Sequence, residues 1–371
     1  MARPGKKVFL YMDVYERIRS DILSGVLKPE EKLISEDDIA LKYHVSRITV
    51  KKALELLKED GFIDRVQGRG TFVRAAQPGQ AGREGGALAP ENLVGVVLEH
   101  VTSPFGLGML YQMDQLLNQA GYTLLIRFSY GDIEKETQEI NALLSMGIRA
   151  LITMPCHNSY YSMTILKLIL EKFPVILVDK HMYGLPVPSV CTDGTGAIFR
   201  LTEHLKERGC KNAALITMDP SSTTSLGDRV NGFYKGLKAL GLGCAGECIL
   251  PTRKENLLSS AQDAEFLSTI ENFLESFDVL PDALVMTEYH LAQLLFEACA
   301  RRGLAVGRDF KACCIDEDDQ ASGGYLFTHM RQDENAIAAR VVEILLRLIS
   351  GEEVSPDPVR VDAIFRQGRT T

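Results

Sequence analysis

Residues 44 to 54 read His44-Val-Ser-Arg-Ile-Thr-Val-Lys-Lys-Ala-Leu54. Ser46 is a favoured N-cap residue, and Val50, Ala53, Leu54 and Leu57 follow at the i, i+3, i+4, i+7 spacing of one buried helix face that ends at Asp60-Gly61. Arg47 and Lys51 stand one turn apart on the side away from that seam, with the hydroxyls of Ser46 and Thr49 near the helix start. A helix that buries one stripe and turns cations and hydroxyls outward suits the major groove of B-DNA. There Arg bonds guanine bidentately, and the helix N-terminus favours phosphate.

The flanking sequence completes a module around this helix. Upstream, Val14, Ile18 and Ile22 predict a first helix closed at Gly25, and Ser35 followed by Glu36-Asp37-Asp38 predicts a short second helix ending near Tyr43. Downstream, Phe62 to Val66 and Thr71 to Val73 read as two strands around Gln67-Gly68-Arg69-Gly70. The glycines permit close backbone approach, and Gln67 or Arg69 then reaches a minor groove. Three helices and a hairpin make a winged helix-turn-helix over residues 8–74. Taken singly, Arg47, Lys51 and Arg69 read as solvated charges, and only their joint arrangement points to DNA.

Charge divides the same way. Residues 1–74 hold 15 Lys and Arg against 12 Asp and Glu, a net +3, whereas residues 75–371 carry a net -11, so a basic small segment adjoins an acidic large one. Residues 75–91 contain four Gly, five Ala and two Pro without apolar periodicity, which predicts a flexible interdomain linker. At 371 residues, 46% hydrophobic and 24% charged, the chain has the composition of an ordinary globular protein of two or three domains. Its start is basic but leads into polar sequence with no apolar core or cleavage site, and no run of about 18 apolar residues follows. The expected location is the cytoplasm, with no membrane contact. The eight cysteines lack paired CxxC spacing and are expected to be reduced and mostly buried.

Over residues 92–371 the pattern becomes an alternation. Apolar runs at 93–98, 123–127, 150–154 and 175–178 are separated by amphipathic helical segments, and a second series follows at 213–218, 247–250, 283–286 and 312–315. The helices of that second series are expected near 227–240, 262–276, 290–302 and 334–349. This predicts an α/β architecture of two doubly wound lobes, in which ligands bind beyond the carboxyl ends of the strands. The residues found there are polar: Glu99, Asp179-Lys180, Thr287-Glu288 and Asp316, with Arg229 in the helix Arg-Val-Asn-Gly-Phe233. Carboxylates and an Arg converging from several strand ends suit a polyhydroxylated ligand such as a sugar. Asp179 and Asp316 read equally well as caps of adjacent turns, and Phe105 reads either as a stacking platform for a sugar ring or as packing.

Two resemblances join these readings. The stretches Val14–Ile18, Ile34–Glu36, His44–Leu54, Glu59–Ile63 and Gln67–Val73 resemble the GntR-type DNA-binding domain. That resemblance implies operator contacts from Ser46, Arg47, Thr49 and Lys51 and a wing contact from Gln67 and Gly68. Many members carry Arg where this chain has Asp37, and Arg where it has Lys51, which implies a different operator. Val94-Gly-Val-Val97, Leu205–Gly209, Arg229–Phe233, Asp316 and Gln332-Asp333 resemble the LacI/GalR effector domain, which shares its fold with periplasmic sugar-binding proteins. It places Glu99, Asp179, Arg229, Thr287 and Asp316 on ligand-contacting positions, with Thr287-Glu288 standing where Asn-Asp is common and Glu334 where an aromatic is sometimes found. The combination looks like the arabinose-responsive repressor subgroup.

For catalysis the sequence offers little. It has no GxSxG, GxxxxGK[ST] or HExxH, and no GxGxxG after a strand. Its seven His are dispersed, and Cys156-His157 has no second pair to join it. The expectation is therefore no enzyme, no cofactor and no metal. It is instead a ligand-responsive transcription regulator, a repressor, that grips double-stranded operator DNA as a homodimer and takes a sugar or related small molecule in its C-terminal domain. A non-sugar ligand such as a nucleoside is the alternative. An enzyme tethered to DNA or a solute-capture protein ranks behind.

Overall fold

A computed structural model describes residues 10–23, 26–28, 30–59, 62–66, 70–73, 92–156, 162–182, 184–252, 261–318 and 324–371. The chain divides into two compact units, Met1–Ala87 and Leu88–Thr371. The stretch read as a linker, 75–91, lies outside the described residues, as does the His157 of the Cys-His pair.

The first unit holds α1 (Leu10–Leu23), α2 (Glu36–Tyr43), α3 (Arg47–Glu59) and the antiparallel hairpin of β1 (Ile63–Val66) and β2 (Gly70–Val73). Ser35 caps α2 by accepting the Asp38 N–H, and His44 closes it in the left-handed conformation at φ 55°. Ser46 Oγ accepts the Thr49 N–H at 3.2 Å and so caps α3. The predicted seam is the core: Val50, Ala53, Leu54 and Leu57 are fully buried against Val14, Ile18, Ile39, Ile63 and Val73. Each of the Val, Leu and Ile side chains contributes about 1.5–3 kcal/mol of burial. The wing is broader than the hairpin read from sequence. Backbone bonds from Glu30 N and Leu33 N to Val73 O and Thr71 O lay residues 30–33 along β2 as a third extended segment.

The second unit contains two six-stranded sheets. Lobe 1 has the order β13-β7-β6-β5-β3-β4, from β3 (Leu93–Leu98), β4 (Thr123–Phe128), β5 (Ala150–Thr153), β6 (Val175–Val178), β7 (Ser189–Thr192) and β13 (Val359–Val361). Lobe 2 has the order β14-β12-β11-β10-β8-β9, from β8 (Asn212–Met218), β9 (Gly243–Leu250), β10 (Ala283–Met286), β11 (Lys311–Ile315), β12 (Thr328–Arg331) and β14 (Ile364–Arg366). All pairings are parallel except β12 with β14. The central strands are buried on both faces, which is why they read as unbroken apolar runs and not as alternation. Helices α4 (Leu107–Gln119), α5 (Ile133–Ser145) and α6 (Met163–Leu170) belong to lobe 1. Helices α7 (Gly194–Glu207), α8 (Thr224–Leu240), α9 (Ala261–Glu275) and α10 (Tyr289–Arg302) belong to lobe 2.

The two series are not self-contained, because the chain crosses between lobes three times: after β7, after β12 and after β13. One consequence corrects the sequence reading. Helix α11 (Glu334–Ile349), expected with the second series, packs Ile337, Val341, Ile344 and Leu345 into the core of lobe 1 beside α4. Periodicity identified its apolar face correctly but carries no record of which sheet that face covers. Glu334, at its start, accepts the N–H groups of Gly106 and Met109 at 2.6 and 3.1 Å and so caps α4, whose own N-cap, Gly106, has no side chain to do it. All eight cysteines are free thiols and seven are buried. Among the described residues no helix is long and apolar enough to cross a membrane.

Candidate functional site

In the first unit, α3 turns Arg47 and Lys51 to the surface. Ser46 and Thr49 share a hydrogen bond, Oγ to Oγ1 at 2.8 Å, so both hydroxyls lie at the helix start that a phosphate would approach. Asp37, the departure noted in the sequence, lies with its Oδ1 3.4 Å from Arg47, and Glu36 lies 3.6 Å away. Arg47 is 67% exposed, so this pairing is worth about 0–1 kcal/mol and gives way readily to a nucleic acid. Gln67, Gly68 and Arg69 lie outside the described residues.

In the second unit two aspartates occupy equivalent places. Asp179 follows β6 and Asp316 follows β11, each at positive φ (67° and 60°), and each donates its N–H to the next strand, to Val190 O at 2.9 Å and Met330 O at 3.0 Å. The left-handed region costs a non-glycine residue of order 1 kcal/mol, and such strain gathers where a side chain must be aimed. Both carboxylates face the charge of Arg229, which is 7% exposed on the first turns of α8 and donates to the Thr287 carbonyl at 2.9 Å. Thr287 thus faces Arg229 through its backbone, since its hydroxyl donates to Thr217 Oγ1 at 3.0 Å.

Glu99, just after β3, pairs with Lys180, whose Nζ also donates to Pro155 O at 3.1 Å. Burial opposes the charge on Lys180, but Glu99 and Asp179 more than offset it and hold its pKa above the ordinary lysine value. Phe105 sits half-buried in the Thr102 turn against the core of lobe 1. The strand ends therefore bring Glu99, Asp179, Arg229, Asp316 and the Thr287 carbonyl toward one region, whereas Phe105 packs.

Gln332 was missed. Buried at the end of β12, it donates its N–H and Nε2 to the two oxygens of Asp316 at 2.9 and 2.7 Å, and its Oε1 accepts from Thr192 Oγ1 at 2.7 Å. Thr192 and Gln332 close β7 and β12, where the first two crossovers begin, so Asp316 is tied directly to the hinge. Reading Thr328-His-Met-Arg331 as a strand would have exposed Gln332 as a strand-end residue. Its polar composition hid it. The first turn of α8 also spans the lobes. Thr224 Oγ1 accepts from His181 N at 3.1 Å and donates to His181 O at 3.2 Å, while Asp228 pairs with Arg360 of β13.

Desolvation pushes the Asp316 carboxyl up to about 6, with Gln332 and Arg229 pulling the other way. A carboxyl raised by the fold contributes stability while protonated and loses it as pH rises through its unfolded and folded values, here from about 4 to about 6. The melting temperature of the native chain relative to Asp316→Asn, neutral throughout, is expected to fall across that window and level above it. Parallel melting curves at every pH between 4 and 7 would show that Asp316 ionises freely.

Carboxylates and an arginine at strand ends of two hinged lobes, in one chain with a winged helix, are the parts expected of a DNA-binding protein with a small-molecule receptor. Comparison with known proteins agrees. Residues 10–73 match the bacterial regulatory proteins of the gntR family, and residues 202–371 match the periplasmic binding protein-like domain. The arabinose metabolism transcriptional repressor of Geobacillus stearothermophilus is 26% identical over 369 residues, covering 96% of this chain and 94% of that one. A repressor of the same description from Halalkalibacterium halodurans is 22% identical over 312 residues, covering 83% and 80%. The crystal structure of the Cra transcriptional dual regulator from Pseudomonas putida in complex with fructose 1-phosphate has a TM-score of 0.62 at 22% identity, covering 74% of this chain and 98% of that one, a likeness of fold. The chain is a transcription regulator in which a GntR-type DNA-binding domain is fused to a periplasmic-binding-protein-like domain.

Proposed function

We propose that the protein is a cytoplasmic repressor that binds operator DNA as a homodimer and releases or tightens its grip when a sugar enters the cleft between the two lobes. The observation that carries the reading is the convergence of Asp179 and Asp316, one from each lobe, on Arg229. Such a set bonds vicinal hydroxyls by donor and acceptor at once, and a ligand that touches both aspartates draws on both lobes. The charge balance favours an uncharged polyhydroxylated ligand over a phosphorylated one. Lys180 already pairs with Glu99, and Arg229 faces two carboxylates, so a phosphate would meet more negative charge than positive. The names of the relatives support sugar metabolism as the setting. On the DNA side, Ser46, Arg47, Thr49 and Lys51 on α3 would enter the major groove and Gln67, Gly68 and Arg69 would follow the minor groove. Two such heads related by a dyad match a near-palindromic operator.

The test is a thermal-shift screen of the full chain against free pentoses and hexoses, their phosphates and nucleosides, repeated on the protein–operator complex. Binding to the native state raises the melting temperature by mass action, about 2.7 kcal/mol at a hundredfold excess over Kd. The expected hit is a free sugar that also alters operator affinity. A hit among the nucleosides alone would replace the sugar reading, and a sugar that binds without changing operator affinity would remove the regulatory one.

A further inference from the structure

We propose that Ile48 reads the 5-methyl group of a thymine in the operator, a contact that rests on the DNA-binding reading above. The argument comes from where this side chain stands on α3. At about 100° per residue, the buried residues Val50, Ala53, Leu54 and Leu57 centre on one line of the helix, and Ile48 falls almost diametrically opposite. It is 81% exposed, in the first turn, between Arg47 and Thr49. Lys51 and Lys52, three and four residues on, flank it on either side of the same outward face.

An isolated apolar side chain on a protein surface needs no explanation. This one occupies the middle of a cationic face, where the helix can bring only its central residues to the groove floor while the flanking cations reach phosphates. Burying a β-branched side chain there requires a groove that offers apolar surface. The major groove supplies one such group, the thymine methyl, at A·T pairs alone. The lysines give affinity for any duplex, Arg47 reads guanine, and Ile48 adds preference for thymine at one position of each half-site.

The experiment starts from the duplex that the full chain selects out of a random library. Each thymine in it is then replaced by uracil, which removes only the methyl group. At one symmetry-related pair of positions the native chain is expected to lose about fourfold affinity per half-site, on the order of tenfold for both. Ile48→Ala should bind the thymine and uracil duplexes alike, at the level of the native chain on uracil, and Ile48→Val should keep most of the preference. Indifference of the native chain to uracil everywhere, or the same preference in Ile48→Ala, would overturn the proposal. The uracil series on the native chain needs no variant, so misfolding cannot obscure it. Failure to select any sequence would instead remove the operator reading, and the methyl contact with it.

Discussion

Replacing Arg229 by Ala abolishes the response to effector while leaving operator binding intact. Arg229 is buried, donates to the Thr287 carbonyl, and faces Asp179 and Asp316 from opposite lobes. Its loss removes a planar fork of donors that no neighbour replaces, and hydrogen bonds to a charged group contribute about 1.5–3 kcal/mol each. Two such bonds to a sugar correspond to an affinity loss of at least about 100-fold. The vacated space also leaves two carboxylates without the cation whose charge both of them feel, which pushes both further toward the protonated form and weakens them as acceptors. Arg229→Lys should recover part of the charge but little of the affinity, because an ammonium cannot bond two hydroxyls in one plane. Effector-dependent thermal shift and an operator gel shift on the same preparations separate the two functions. Effector affinity unchanged in Arg229→Ala would place the ligand elsewhere in the molecule.

Arg47→Ala gives the converse result. Arg47 is largely exposed and its pairing with Glu36 and Asp37 is weak, so its removal leaves the unfolding free energy of the domain within about 0.5 kcal/mol of the native value. A bidentate arginine–guanine contact is worth about 1–3 kcal/mol per half-site, so a dimer loses between about 30-fold and about ten-thousandfold in specific affinity. Binding to unrelated duplex falls far less, and the salt dependence barely moves, since the exposed cations Lys51 and Lys52 remain available to phosphates. The effector-induced thermal shift persists. A titration in which Arg47→Ala keeps its preference for operator over unrelated duplex would dismiss α3 as the reading helix. The Asp37–Arg47 approach adds a detail: Arg47 stands beside an acid, so a guanine contact through it would have to exchange that pairing for DNA.

Much of this was legible along the chain. The winged helix follows from spacing alone, because its core is local: the seam of α3 closes against apolar residues of α1, α2 and the hairpin within one short unit. Capping was equally readable at Ser35 and Ser46, since a cap depends on a residue and its neighbours three positions on. Parallel strands buried on both faces announced themselves as apolar runs. Strands β7 and β12 and the three-residue strands β13 and β14 did not, because they are short or polar and acquire their places only from partners that the closing of the fold supplies.

By itself, then, the order of residues determined the two-part organisation, the cationic outward face of α3, and the acids and arginine at the strand ends. Those depend on period, capping and local backbone preference, all of which act over a few residues. Tertiary structure alone decided that α11 serves lobe 1, that Glu334 caps α4, that Thr287 faces Arg229 through its carbonyl, and that Gln332 ties Asp316 to Thr192. Each of these joins groups between 58 and 228 positions apart wherever the chain crosses or packs, apart from the shorter link of Gln332 to Asp316. A hydrogen bond between distant residues leaves no periodic trace, because its partners are selected by the closing of the fold and not by spacing along the chain.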